Sequence, residues 1–269
     1  MTIDPTATIH PSSIVETGAR IGAGVHIGPF CTVSAGAVLS DGVDLKSHIV
    51  VAGDTFVGAR TRIWPFASIG HQPQDLKYAG EPTRLEIGTD CMIREGVTMN
   101  PGTVQGGGLT RVGNGCLFMV SSHVGHDCMI GNAVVVANNV ALAGHVQVGD
   151  QVIIGGNAAV HQFCRIGRGA MIGGLTGVER DVIPYGSVVG DRAHLAGLNL
   201  VGLKRRKSPR DDIHALRAAW KQIFDGPGTL AENARAALAA HEGSALVAEV
   251  VGFILSDSAR SFVTPKREG

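Results

Sequence analysis

Residues 9–39 read IHPSSIVETGARIGAGVHIGPFCTVSAGAVL, and every sixth position is aliphatic: Ile9, Val15, Ile21, Ile27, Val33 and Leu39. The beat continues through Leu45, Val51, Val57 and Ile63 to Ile69. A helix repeats its apolar face near 3.6 residues and a half-buried strand near 2, so a fixed six-residue period marks a hexapeptide β-helix instead. Four residues after each aliphatic comes a small or β-branched residue, such as Ser13, Ala19, Val25, Cys31, Ala37 and Val43. Both positions are expected to point inward. Glycine often follows the aliphatic directly (Gly22, Gly28, Gly58, Gly113, Gly131, Gly149), where a tight corner is expected to need a backbone conformation that Cβ opposes.

Three hexads would close one triangular coil, and stacked coils bury an aliphatic column that no single coil could bury alone. Open ends expose strand edges, so the C-terminal tail is expected to cap the stack. The pattern breaks after Ile69, returns at Ile87, Ile93 and Met99, breaks again, and runs from Val112 to Val178. Loops are therefore expected to leave the rod near 71–86 and 101–111, and in a rod with regular walls such loops are where a substrate can be enclosed. Gly106-Gly107-Gly108 reads as a flexible part of the second loop.

The hexads mark a mainly β domain over 1–190, followed by a helical domain over 191–269. Ile213, Leu216, Trp220, Ile223 and Phe224 fall on one helical stripe. Ser208 is expected to cap that helix with Pro209 in its first turn, and Gly226-Pro227-Gly228 to end it. Two further helices are expected near Leu230 to His241 and Ser244 to Ser256.

The chain's 23 basic and 23 acidic residues cancel, which gives no nucleic-acid footprint. Neither a signal segment nor a transmembrane stretch stands out, so a cytoplasmic protein is expected. All five cysteines (Cys31, Cys91, Cys116, Cys128, Cys164) occupy the small inward slot and read as core filler in a reducing compartment.

His123, His126, His145 and His161 fall close together, near corners of neighbouring coils. One and two coils beyond His126 stand Gly144 and Gln162, so a catalytic imidazole would face a residue without a side chain. Neutral histidine can take a hydroxyl proton near pH 7, and Asp127 could fix its tautomer. Alternatively, Asp127 is a turn residue bonding its own backbone. The histidines alone also permit a hexad-repeat zinc hydratase like the γ-class carbonic anhydrases, with three histidines gathered across a subunit interface. No serine or cysteine sits in a nucleophile elbow.

The segments HVGHDC (123–128), QDLKYAGEPT (74–83), GTVQGGG (102–108), VHQFC (160–164) and GLKRR (202–206) together resemble the UDP-N-acetylglucosamine acyltransferases of lipid A biosynthesis, in order along nearly the whole chain. The resemblance implies a left-handed parallel β-helix, against the usual crossover hand, and a homotrimer with active sites between subunits. It implies transfer of a 3-hydroxyacyl chain from acyl carrier protein to the glucosamine 3-position of UDP-N-acetylglucosamine, without cofactor, metal or covalent intermediate. His126 would be the general base, Asp127 its orienting partner, and the Gly144 N–H the oxyanion donor. His123, His145, His161 and Gln162 would line the sugar nucleotide and acyl cleft, and Asp75 would contact the glucosamine. Asn199, Arg205 and Arg206 would hold the nucleotide and its phosphates, a task suited to arginine's fixed fork. Gly174 would set acyl length, glycine leaving room for a longer chain. Arg210, Arg217 and Lys221 form a basic stripe on the first tail helix, a dock for acidic carrier protein. Asn100 and Val201 depart from the family pattern of histidine and glutamate, which leaves a 3-amino sugar nucleotide as an alternative acceptor.

Overall fold

The structure, a computed structural model describing residues 2–266, is a left-handed β-helix closed by helices. Its strands are mostly two residues long and form three sheets of nine, eleven and nine strands, parallel but for the last pair of the second, which make the walls of a triangular rod. Thr32 pairs with Val50, eighteen positions on, and Val33 with Val51. The hexad aliphatics and their small companions fill the rod: Ile27, Val33, Val51 and Ile63 are buried, as are Val25, Cys31, Val43 and all other cysteines. The N-terminal coil is the exception, with Ile3, Ile9 and Val15 only partly covered at the rod's open end.

The corner glycines serve a different purpose from the one expected. Left-handed backbone occurs three residues after the aliphatic, at non-glycine positions such as Phe30, His48, Phe66, Asp127, His145 and Phe163. Most glycines directly after the aliphatic are needed for close approach: a Cβ on Gly28 would lie 1.5 Å from the carbonyl oxygen of Lys46 in the next coil. Gly70, at the start of the first loop, is an exception with φ +85°.

Both loops leave at one corner, between the third sheet and the first. Ser68 pairs with Thr98, thirty positions on, so the first loop adds twelve residues to a coil of eighteen. Thr98 pairs with His123, twenty-five positions on, so the second adds seven. The excursions are shorter than expected, because Arg84–Ile87 and Leu109–Val112 already belong to the first sheet.

At the other end Gly186–Val189 joins the second sheet and turns back in an antiparallel hairpin with His194–Leu198. Four helices follow: α1 (Leu200–Arg205), α2 (Arg210–Asp225), α3 (Leu230–Ala240) and α4 (Ala245–Leu255). α1 has no counterpart in the hydrophobic pattern. Pro209, not Ser208, stands at the N-cap of α2 and gives it no side-chain bond. α3 begins with a capping box, Thr229 and Glu232 bonding each other's backbone. The tail then returns to the rod, where the Val263 N–H donates to the Asp181 carbonyl and the Asp181 N–H to that of Ser261. No helix among the described residues is long and apolar enough to cross a membrane.

Candidate active site

The loop-bearing corner carries a connected set of polar groups. His126 Nδ1 lies 2.7 Å from Asp127 Oδ2, and the Asp127 side chain is buried. The Thr103 backbone N–H donates to Oδ1 and its hydroxyl to Oδ2, each at 2.7 Å. Thr103 caps a short 3₁₀ turn, Val104–Gly106, in the second loop. Within that turn a Cβ on Gly106 would lie 2.0 Å from the Asp127 carboxyl carbon, so this glycine is required for the loop to close over the carboxylate. The Asp127 N–H donates to Thr110 Oγ1 at 2.7 Å. Asp127 is both a left-handed turn residue, with φ 59°, and the partner of His126. The acceptor on Nδ1 leaves Nε2 of a neutral His126 free to take a proton.

Gly144 stands one coil further on. A Cβ there would come within 2.5 Å of His126 Cε1 and 2.6 Å of Nε2, so only glycine leaves that face of the imidazole open. His145 packs edge-on to His126 with ring centroids 5.1 Å apart, and stacks on Phe163 at 4.4 Å. His145 Nε2 is 3.6 Å from Asp127 Oδ2. His123 Nδ1 meets Thr98 Oγ1 at 2.7 Å. Burial lowers the pKa of both His123 and His145, favouring neutral imidazoles.

Asp75 approaches this cluster from the first loop. The Lys77 N–H, more than any other group, holds its carboxyl below the usual range, and His126 adds to the effect. The side-chain amide of Asn100 donates to the carbonyls of His71 and Gln72 and ties down the base of the loop. Ligand atoms of His126, Asp127 and His145 lie within 4.8 Å of one another. That set comprises two histidines and a carboxylate, where the hydratase reading needs three histidines, and both carboxylate oxygens already accept hydrogen bonds.

The remaining expected residues divide between corners. His161 and Gln162 share the His126 corner, in line with Gly144. Asn199 and Arg206 lie against Gly169, at the corner between the first and second sheets. Asn199 caps α1 by accepting from the Gly202 N–H and donates to the Gly169 carbonyl. Arg206 stacks on Tyr185, and its Nη2 is buried without a partner among the described residues. Arg205 and Val201 are exposed on α1. Gly174 occupies the third corner, where a Cβ would meet the Gly156 carbonyl at 3.2 Å. On α2, Arg217 and Lys221 border a groove with Leu198, Leu200 and Trp220, while Arg210 and Arg217 border its neighbour.

A family model described as UDP N-acetylglucosamine O-acyltransferase, domain 2, matches residues 181–263. The acyl-[acyl-carrier-protein]–UDP-N-acetylglucosamine O-acyltransferase of Rhizobium johnstonii is 50% identical over 266 residues, 99% of this chain and 98% of the relative. The chain belongs to that acyltransferase family. The UDP-N-acetylglucosamine acyltransferase from Campylobacter jejuni superposes with a TM-score of 0.91 at 37% identity, covering 96% of this chain and all of that one. The UDP-N-acetylglucosamine O-acyltransferase from Moraxella catarrhalis gives 0.83 at 39% identity, with 98% and 100% covered. Sequence reasoning assigned no role to Thr103, Thr110, Phe163 or Arg260. Thr103 lies inside the 102–108 motif, and Thr110 at a small inward slot of the hexad pattern, two residues before Val112.

Proposed function

We propose that this enzyme transfers an (R)-3-hydroxyacyl chain from acyl carrier protein to the 3-hydroxyl of UDP-N-acetylglucosamine, the first step of lipid A biosynthesis, in the cytoplasm. The observation that carries the reading is the Thr103, Asp127, His126 chain ending opposite Gly144. His126 Nε2 removes the sugar hydroxyl proton as the oxygen attacks the thioester carbonyl. Asp127 holds the tautomer and balances the imidazolium that forms. The Gly144 N–H stabilises the oxyanion, a contribution of about 3 to 4 kcal/mol for such donors. Collapse of the tetrahedral intermediate expels the carrier thiolate, which regains a proton from His126.

His123, His145, His161, Gln162 and Asp75 line the sugar and acyl cleft in this reading. The unpaired donor of Arg206, with Arg205 and Asn199, supplies the nucleotide and phosphate contacts. Those residues and Gly174 stand at corners other than that of His126, which supports a homotrimer whose neighbouring corners combine into one site. The basic residues Arg210, Arg217 and Lys221 dock the acidic carrier. Glycine at 174 favours a longer acyl chain.

Acyl transfer is measured with UDP-N-acetylglucosamine and its 3-amino analogue against 3-hydroxyacyl carrier proteins of graded length. We expect the hydroxyl sugar to react, and His126→Ala to lower kcat at least about 10²-fold with the fold intact. Near-normal turnover in that variant would remove His126 from the role of base. Preference for the amino analogue would reassign the acceptor, the alternative that the departures at Asn100 and Val201 leave open.

A further inference from the structure

The C-terminal tail brings a cation to the active-site corner. Arg260 reaches back ninety-nine positions, where its Nη2 donates to His161 Nδ1 at 2.8 Å and its Nε to the Gln162 carbonyl at 3.2 Å. Its placement is built: the Arg260 N–H donates to Ser258 Oγ at 3.0 Å, and that hydroxyl donates to Asp181 Oδ2 at 2.6 Å. Asp181 is fully buried and also receives the N–H and Nε of Arg165. A chain of bonds thus runs from the end of the rod through the tail to His161.

An arginine can only donate and stays protonated at any accessible pH. The ring nitrogen facing it must therefore present a lone pair. His161 Nδ1 also lies 3.3 Å from the Gln162 carbonyl, a contact that would otherwise favour the opposite tautomer with hydrogen on Nδ1. The Arg260 fork takes both acceptors, the Nδ1 lone pair and the carbonyl, and removes that alternative.

We propose that Arg260 is a positioning residue that fixes His161 as the neutral Nε2–H tautomer, making it a permanent hydrogen-bond donor to substrate beside the His126 column. The proposal rests on the acyl-transfer reading for what His161 touches, but not for the tautomer itself.

The test uses full-length protein with labelled histidine nitrogens, the His161 resonances being assigned by their loss in His161→Gln. Wild type is expected to show hydrogen on Nε2. Arg260→Lys, which keeps an obligate donor, should retain that state. Arg260→Met, which keeps the stem, should lose it without lowering the unfolding midpoint. In the acyl-transfer assay Arg260→Met should lower kcat/KM about tenfold, the scale of one charge-assisted hydrogen bond. Combined with His161→Ala, it should cost nothing beyond the single His161 variant. Hydrogen on Nδ1 in wild type, an unchanged ring pattern in Arg260→Met, or additive losses would overturn the proposal. If the ring pattern behaves as expected and no acyl transfer occurs, the function reading falls while the tautomer assignment stands.

Discussion

Gly144 and Thr103 show how narrow the tolerances at the site are. Gly144→Ala would put a methyl within 2.5 Å of His126, so the imidazole must move from the position that the proposed reaction requires. A displacement of about 1 Å can cost roughly 10² in rate, and steady-state kinetics should show kcat falling by that order while melting changes little. His123 and His145 predict a stability effect of definite sign. Their pKa values are lowered on folding, so the unfolded chain binds more protons. Stability is then fully present above the ordinary histidine value of about 6.5 and is lost as pH falls through the lowered folded values. Urea titrations from pH 7.5 to 5 should show this decline, and His123→Gln should flatten it. An unchanged slope in that variant would assign the decline to other groups. The His126, Gly144 and Gln162 alignment was readable because a strict period makes sequence spacing a spatial coordinate. Thr103 and Arg260 escaped that ruler: one lies in a loop outside the period, and the other returns over ninety-nine residues through a tail with no repeat.

At the scale of a single hexad, the element is a two-residue strand and a corner, and its glycine governs stacking. Gly28 approaches the Lys46 carbonyl so closely that any side chain must push two coils apart. Gly28→Ala should therefore destabilise by about 3 kcal/mol and lower Tm by roughly 6 to 12 °C, while Ala introduced at the open position of Gly24 should cost less; calorimetry of both variants compares them directly. Inward and outward positions were legible throughout the rod because each hexad has the same two buried slots. The cause assigned to the corner glycines was not, since sequence shows where Cβ is absent but not what it would strike. Likewise Gly106 looked like slack in a loop, whereas its missing side chain admits the Asp127 carboxylate. α2, α3 and α4 were visible in apolar spacing; α1 is six residues long, too short to leave a periodic trace.

Over the whole molecule, Asp181 ties the last coil to the tail. Its carboxylate accepts from Arg165 and Ser258, and its backbone pairs with residues 261 and 263. Asp181→Ala leaves the largely buried Arg165 guanidinium without its carboxylate, a change that typically costs about 3 to 5 kcal/mol. Hydrogen exchange should then accelerate first in the tail segment 261–263 and α4, with the N-terminal coils unaffected. The opposite end of the rod is built differently. Among the described residues, no hydrogen-bond partner of His123, His126, Asp127 or His161 comes from the coils before Arg62. Those coils repeat one register, Thr32 on Val50 and Ile14 on Thr32, with the same inward slots in each. They act as a plinth whose height is free in steps of one coil: gain or loss of eighteen residues there lengthens or shortens the base and leaves every partner of His126 where it is.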